Sequence, residues 1–344
     1  MNQFLKSYSK YPAICLVMIL LIRCESNDRY YRPNLPESLC CIGIIEADDT
    51  TRYIIFEKSF QFEYPEETAD SLRELSFTIS NSSGVLYSFQ ADYALKNKSL
   101  LRLPDSLIFT SREKYYFRAK ERDCPEITSE ITVPDPPSGL ELLAISKEIV
   151  TDYVIKCHEV ADDHKVWLDV INISFNNKSK DSYYALMVES FGFNDICQWI
   201  IGNITESYME FALRQSDTQG FFSMFPGLVR YTFDRCDDCK LVTNPAHAYY
   251  MKTNKSPGDK STLVLTIQSN DVKTIPALPV YYRIRLLAIP EEMYLFKKSL
   301  YTYERNIGDP FSEPVYIKSN IKGGYGMFAI CRTIELQVAA PPRY

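Results

Sequence analysis

The sequence predicts a mainly β protein. An N-terminal immunoglobulin- or fibronectin-like β-sandwich is followed by a larger β-rich domain with one or two short helices. Three observations lead there. Apolar and polar residues alternate in one short run after another, the period of a half-buried strand. Turn residues such as Asn81-Ser-Ser-Gly84 separate neighbouring runs. Helical spacing is confined to Glu206–Gln215 and Glu291–Tyr303. A hydrophobic content of 46% over 344 residues is enough for a core without help from disulfides.

The elements follow in order. Ser38–Glu46 and Tyr53–Glu57 read as strands. In Arg73–Ser80, Leu75, Phe77 and Ile79 fall on one face, with Glu74, Ser76 and Thr78 on the other. Val85–Phe89 follows after the turn. In Lys114–Lys120, Tyr115, Phe117 and Ala119 oppose Tyr116, Arg118 and Lys120, and Ile127–Val133 repeats the pattern. Pro134-Asp-Pro-Pro-Ser-Gly139 then interrupts it, because proline fixes φ and donates nothing to a ladder. Beyond it, His164–Phe175, Tyr183–Glu189, Thr262–Gln268 and Val280–Ala288 read as strands. Pro290 and the acidic pair Glu291-Glu292 suit the start of a helix, and Tyr294, Lys298 and Tyr301 keep its spacing. A glycine turn at Gly323–Gly326 precedes a last strand, Met327–Val338. No internal repeat is visible.

The first two dozen residues concern location. Lys6 and Lys10 precede the apolar run Tyr11–Ile22, which ends at Arg23-Cys24. This is the layout of an export signal, and the run is shorter than the ~20 residues of a transmembrane helix. A cysteine at the end of such a run is where bacterial lipoproteins are cut and lipidated, so Cys24 is the expected lipidation site. Arg23 stands where that processing normally has a small residue. The predicted organisation is a signal over 1–23, a polar tether over 24–36, the sandwich over 37–134, a proline-rich linker over 135–139 and the second domain over 140–344.

The C-terminal stretch Gly308–Phe328, with Ser312-Glu-Pro-Val-Tyr316 and Gly323-Gly-Tyr-Gly326, resembles the closing signature of a family of Bacteroidota outer-membrane lipoproteins labelled only as a domain of unknown function. The early strand Leu39–Ile45, the proline-rich junction and Cys236-Asp-Asp-Cys239 resemble that family too. The resemblance covers roughly residues 24–335. It implies an outer-membrane lipoprotein of the kind often encoded beside TonB-dependent transporters. It supplies no catalytic residues.

The remaining motifs have ordinary readings. Cys236 and Cys239 have the spacing of half a zinc site, but no second pair completes it, so a short-range disulfide or two loop cysteines is the expectation and no metal is expected. His158-Glu-Val-Ala-Asp162 begins like a zinc-protease helix, yet Asp162 stands where the second histidine belongs. The glycines at 323–326 lack the Lys-Ser/Thr pair of a phosphate loop. Tyr183-Tyr184, Tyr249-Tyr250 and Phe191–Trp199 are candidate contact aromatics, although tyrosine and phenylalanine are also what strands favour. Asn81, Asn97, Asn172, Asn177 and Asn203 head Asn-x-Ser/Thr triplets, read as polar strand ends. A net charge of −6 without a basic stripe argues against nucleic acid as a partner.

The expectation is therefore a non-enzymatic, lipid-anchored binding protein at the outer membrane, without cofactor, whose partner is a TonB-dependent transporter. The alternatives are a cell-surface adhesion module, or an extracellular polymer-degrading enzyme using His158, Glu159 and Asp162.

Overall fold

The computed structural model describes residues 37–50, 52–58, 72–91, 93–95, 99–150, 166–179, 182–194, 199–201, 211–216, 219–224, 248–253, 255–269, 277–306 and 312–341. The chain is mainly β. The N-terminal half contributes β1 (Leu39–Glu46), β2 (Tyr53–Lys58), β3 (Ser76–Asn81), β4 (Gly84–Gln90), β5 (Ser99–Arg102), β6 (Lys114–Lys120) and β7 (Ile127–Thr132). After the prolines come β8 (Ser138–Val150), β9 (Val166–Asn176), β10 (Ser182–Asn194), β11 (Trp199–Ile201), β12 (Phe211–Ser216), β13 (Gln219–Met224), β14 (Ala248–Thr253), β15 (Lys260–Ser269) and β16 (Ala277–Ile289). Helix α1 (Glu291–Asn306) and β17 (Tyr325–Ala339) complete the described elements.

These strands form three sheets. A long one runs β13-β14-β10-β16-β17-β1-β2-β5, with β11 added beside β10. Two four-stranded sheets, β4-β3-β6-β7 and β12-β15-β9-β8, lie against it. The long sheet holds strands from both sides of the proline-rich junction, because β17 is inserted between β1 and β16. Its pairing with β1 is parallel, from Cys40 opposite Tyr325 to Glu46 opposite Cys331, and its pairing with β16 is antiparallel.

The two-residue period of β17 shows how the layers stack. Phe328 and Ile330 enter a core shared with Phe56, Phe77, Tyr115, Phe117 and Ile131. Further along the same face, Ile334, Leu336 and Val338 join a second core with Ile171, Phe175, Leu186, Leu263 and Ile284. Both small sheets therefore pack on one face of the long sheet and make two sandwiches side by side. Met327, Ala329 and Cys331 point the other way, into a third core built on Met293, Tyr294 and Phe296 of α1. Burial on both faces explains the unbroken apolar runs in β1 and the first half of β17.

The helix starts as expected, with Glu291 and Glu292 in its first turn, and runs on to Asn306. The second expected helix is corrected: Phe211–Ser216 is β12, paired antiparallel to β15 with Leu213 opposite Leu265. The pairing runs from Phe211 opposite Ile267 to Ser216 opposite Leu263, with a register shift between Leu213 and Gln215.

Candidate interaction surface

Several residues singled out in the sequence lie outside the described residues. These are Cys24, Cys236 and Cys239, His158, Glu159 and Asp162, together with Asn97 and Asn203. Among the described residues, no group of three or more His, Cys, Asp or Glu side chains is placed to hold a metal ion. No described helix is long and apolar enough to cross a membrane.

The other motifs are architectural. Tyr184, Tyr249 and Tyr250 are buried in the second and third cores. Tyr183 is half-buried; its hydroxyl donates to Glu291 at 2.6 Å, and its ring carries Lys252 on one side and meets Tyr294 at 5.1 Å. Asn177 is buried, and its amide donates to the Asp259 carbonyl and the Ser261 hydroxyl, both at 2.9 Å. Asn81 donates to Glu113 at 2.7 Å. Cys41, Cys124 and Cys331 are free buried thiols. Burial, with Glu121 nearby, pushes the Cys124 thiol up to about 12.

The glycine signature is a steric joint. A Cβ on Gly326, whose φ is +113°, would meet the Cys41 carbonyl at 1.9 Å, and one on Gly324 would meet the Leu39 carbonyl at 2.2 Å. Only residues without a side chain let β17 enter beside β1. Between Tyr325 and Cys331, β16 no longer flanks β17. Asn320 takes its place there: its amide donates to the Phe328 carbonyl at 2.6 Å and accepts the Phe328 N–H at 3.0 Å. Ser319 donates to the Gly326 carbonyl at 2.7 Å.

Two buried ion pairs brace this frame. Lys58 and Glu121 meet at 2.8 Å inside the first sandwich. Glu121 also accepts the backbone N–H groups of Arg73, Asp123 and Cys124 at 2.9, 2.8 and 3.1 Å. Burial alone would raise its carboxyl, but the Lys58 ammonium and the backbone donors outweigh that and hold it below the usual carboxylate range. On the face that carries α1, Arg285 pairs with Glu46 and, at 2.9 Å, with Glu335, while Thr333 donates to Glu46 at 2.9 Å.

Among the described residues, the face beside β1 is neither core nor ordinary polar surface. On the α1-bearing face of the long sheet, registered residues form the row Met327, Ile42, Ile55, Leu100 across β17, β1, β2 and β5. Burial decreases along it: Met327 lies under the third core, Ile42 and Ile55 are half-buried, and Leu100 is 39% exposed. The next row begins with Tyr325, 56% exposed, opposite Cys40, which faces Glu57 in turn. On the other side of the apolar row, Tyr53 faces Arg102, whose guanidinium is paired with Asp105 at 3.0 Å. The result is an apolar sheet face bordered by tyrosines and a neutralised ion pair, at the end where β1 begins. Sequence reading missed it because β5 has only four residues. The available signal was Leu100-Leu101: adjacent apolar residues on a strand make both faces apolar.

A model of the family described as a domain of unknown function (DUF4249) matches residues 29–336. The chain belongs to this family. The DUF4249 match spans both sandwiches, the glycine joint and the open face. No curated protein matches the chain. Among solved structures, a Corynebacterium diphtheriae protein described as membrane anchored is 11% identical over 75% of this chain, with a TM-score of 0.21. The chain spans about half of that protein's length, 55%. A serine-rich repeat adhesion glycoprotein from Streptococcus agalactiae is also 11% identical, over 73% of this chain and 91% of its own, with a TM-score of 0.15. At these scores neither likeness bears on function.

Proposed function

We propose that this member of the family is a non-enzymatic outer-membrane lipoprotein, anchored through Cys24, that serves as a binding or accessory component of a TonB-dependent transporter. The observation that carries the reading is the basic, apolar, cysteine-terminated segment Lys6–Cys24 ahead of a chain of β-sandwiches. Acylation at Cys24 with more than one chain would give stable anchoring, which a single chain does not. The sandwiches supply rigid strands and leave chemistry to surfaces and loops, as suits a binding part. The C-terminal signature adds the resemblance to lipoproteins encoded beside such transporters.

Two measurements test this. Radiolabelled palmitate is incorporated by the wild-type chain and not by Cys24→Ala; equal labelling of both refutes the anchor. Affinity recovery of the native protein from detergent-solubilised outer membranes brings down a TonB-dependent transporter. Recovery of the protein without one refutes the partner while leaving the anchor standing.

A further inference from the structure

We propose that the open face formed by Tyr325, Ile42, Ile55 and Leu100 rests on the lipid headgroup interface of the membrane that holds the protein. The inference builds on the anchor at Cys24 and adds which surface meets the bilayer.

The chain enters the long sheet beside this face. The described residues begin at Glu37, and β1 starts at Leu39, beside Cys40 and its registered neighbour Tyr325. From Cys24 to Glu37 is 37 − 24 = 13 residues, a length that reaches no more than about 45 Å. An anchor at Cys24 therefore keeps the start of β1 within about 45 Å of lipid, and along the chain β1 is the first described strand after the anchor.

The row passes from buried Met327 through half-buried Ile42 and Ile55 to exposed Leu100, so the third core opens outward without a polar covering among these residues. Tyr325 and Tyr53 stand in the flanking rows. Tyrosine combines an apolar ring with a polar tip and is enriched at membrane–water interfaces. The one cation in these rows, Arg102, is neutralised by Asp105, and Glu57 is acidic. The face therefore suits a zwitterionic interface and gains nothing from anionic lipid. Tethering raises the effective concentration of the face at the bilayer, so a small apolar contact suffices.

The test is hydroxyl-radical footprinting read by mass spectrometry. The acylated full chain in phosphatidylcholine vesicles is compared with the Cys24→Ala full chain in solution. Oxidation of Tyr325 and of the peptide carrying Leu100 falls several-fold on vesicles, while the exposed Tyr93 and Tyr116 are unchanged. The protection persists in high salt and does not grow when anionic lipid is added. The double variant Leu100→Ser, Tyr325→Ser removes the protection at Ile55 without unfolding the chain, since both side chains are already exposed. Equal oxidation of Tyr325 with and without vesicles overturns the proposal. So does protection that appears only when other outer-membrane proteins are co-reconstituted, which would make the face a protein interface. Failure of acylation is separated by replacing residues 1–23 of the Cys24→Ala chain with a histidine tag and tethering it to a nickel-chelating lipid. There, protection of Tyr325 supports the face without the natural anchor, and its absence overturns the face alone.

Discussion

Replacing Lys58 with methionine removes one half of a buried ion pair and leaves the other half in place. Lys58 is 2% exposed and Glu121 is wholly buried, so little water can take over from the ammonium. The stranded carboxylate keeps three backbone N–H donors, which soften the loss without cancelling a charge. Breaking such a pair from one side costs about 3–5 kcal/mol, out of a total stability of about 5–15 kcal/mol. With a slope of about 3 kcal/mol per molar urea, the midpoint of unfolding falls by about 1–1.7 M. Glu121→Leu costs more, because each orphaned N–H adds about 1–3 kcal/mol. For the same reason the double variant Lys58→Met, Glu121→Leu does not recover the wild-type midpoint.

The pH dependence follows from the directions of the two shifts. The Glu121 carboxyl is held below its ordinary value of about 4.3 in the folded chain. Its contribution is complete above that value and disappears as pH falls through the lower folded one. Burial would lower the Lys58 ammonium, but its bond to Glu121 wins and raises it. Its contribution is therefore complete below about 10.4 and fades only as pH rises through the folded value. In Lys58→Met the carboxyl loses its cation and its folded value rises, so less of its contribution is lost in acid and the gap between variant and wild type narrows as pH falls. Urea titrations followed by near-ultraviolet circular dichroism at pH 7 and pH 4 measure both effects. A Lys58→Met midpoint equivalent to a change within about 0.5 kcal/mol, as for ordinary surface substitutions, refutes the claim that this pair is desolvated.

Other outcomes are expected from the β1–β17 joint and the buried thiols. Gly326→Ala places a Cβ against the Cys41 carbonyl at a φ of +113° and lowers stability by about 3 kcal/mol or more. Gly84→Ala, with open space around a φ of +134°, carries only the backbone strain of about 1–3 kcal/mol; thermal unfolding of the two variants side by side checks the difference. Asn320→Ala loses both bonds to the Phe328 backbone and costs about 1–3 kcal/mol by the same measurement. Cys124, raised to about 12, stays unreactive toward a thiol reagent at pH 8 until the chain unfolds; modification at the rate of an exposed thiol contradicts its burial.

Much of the fold was legible in the residues because alternation is a local property. The faces of β3 and β6 could be read directly: Phe77 and Ile79, and Tyr115 and Phe117, are buried as their spacing required. Pro290 and Glu291-Glu292 marked the helix start for similarly local reasons. Glu206–Gln215 went wrong because so short a stretch fits both periods and only its pairing with β15 decides between them. The candidate surface was not legible. It depends on Leu100 lying in register with Ile55, and Ile55 with Ile42, across three strands that say nothing about one another in isolation.

By itself, the sequence determined which side chains of β3 and β6 share a face and where the helix starts. Tertiary structure decided the partners. A two-residue period says that a strand has two faces, yet it does not say which strand completes the sheet. Cys40 and Tyr325 are neighbours despite the length of chain between them, because Gly324 and Gly326 let two backbones approach where any side chain would collide. That single parallel pairing completes the first core with Phe328 and Ile330 and joins both sandwiches to one sheet.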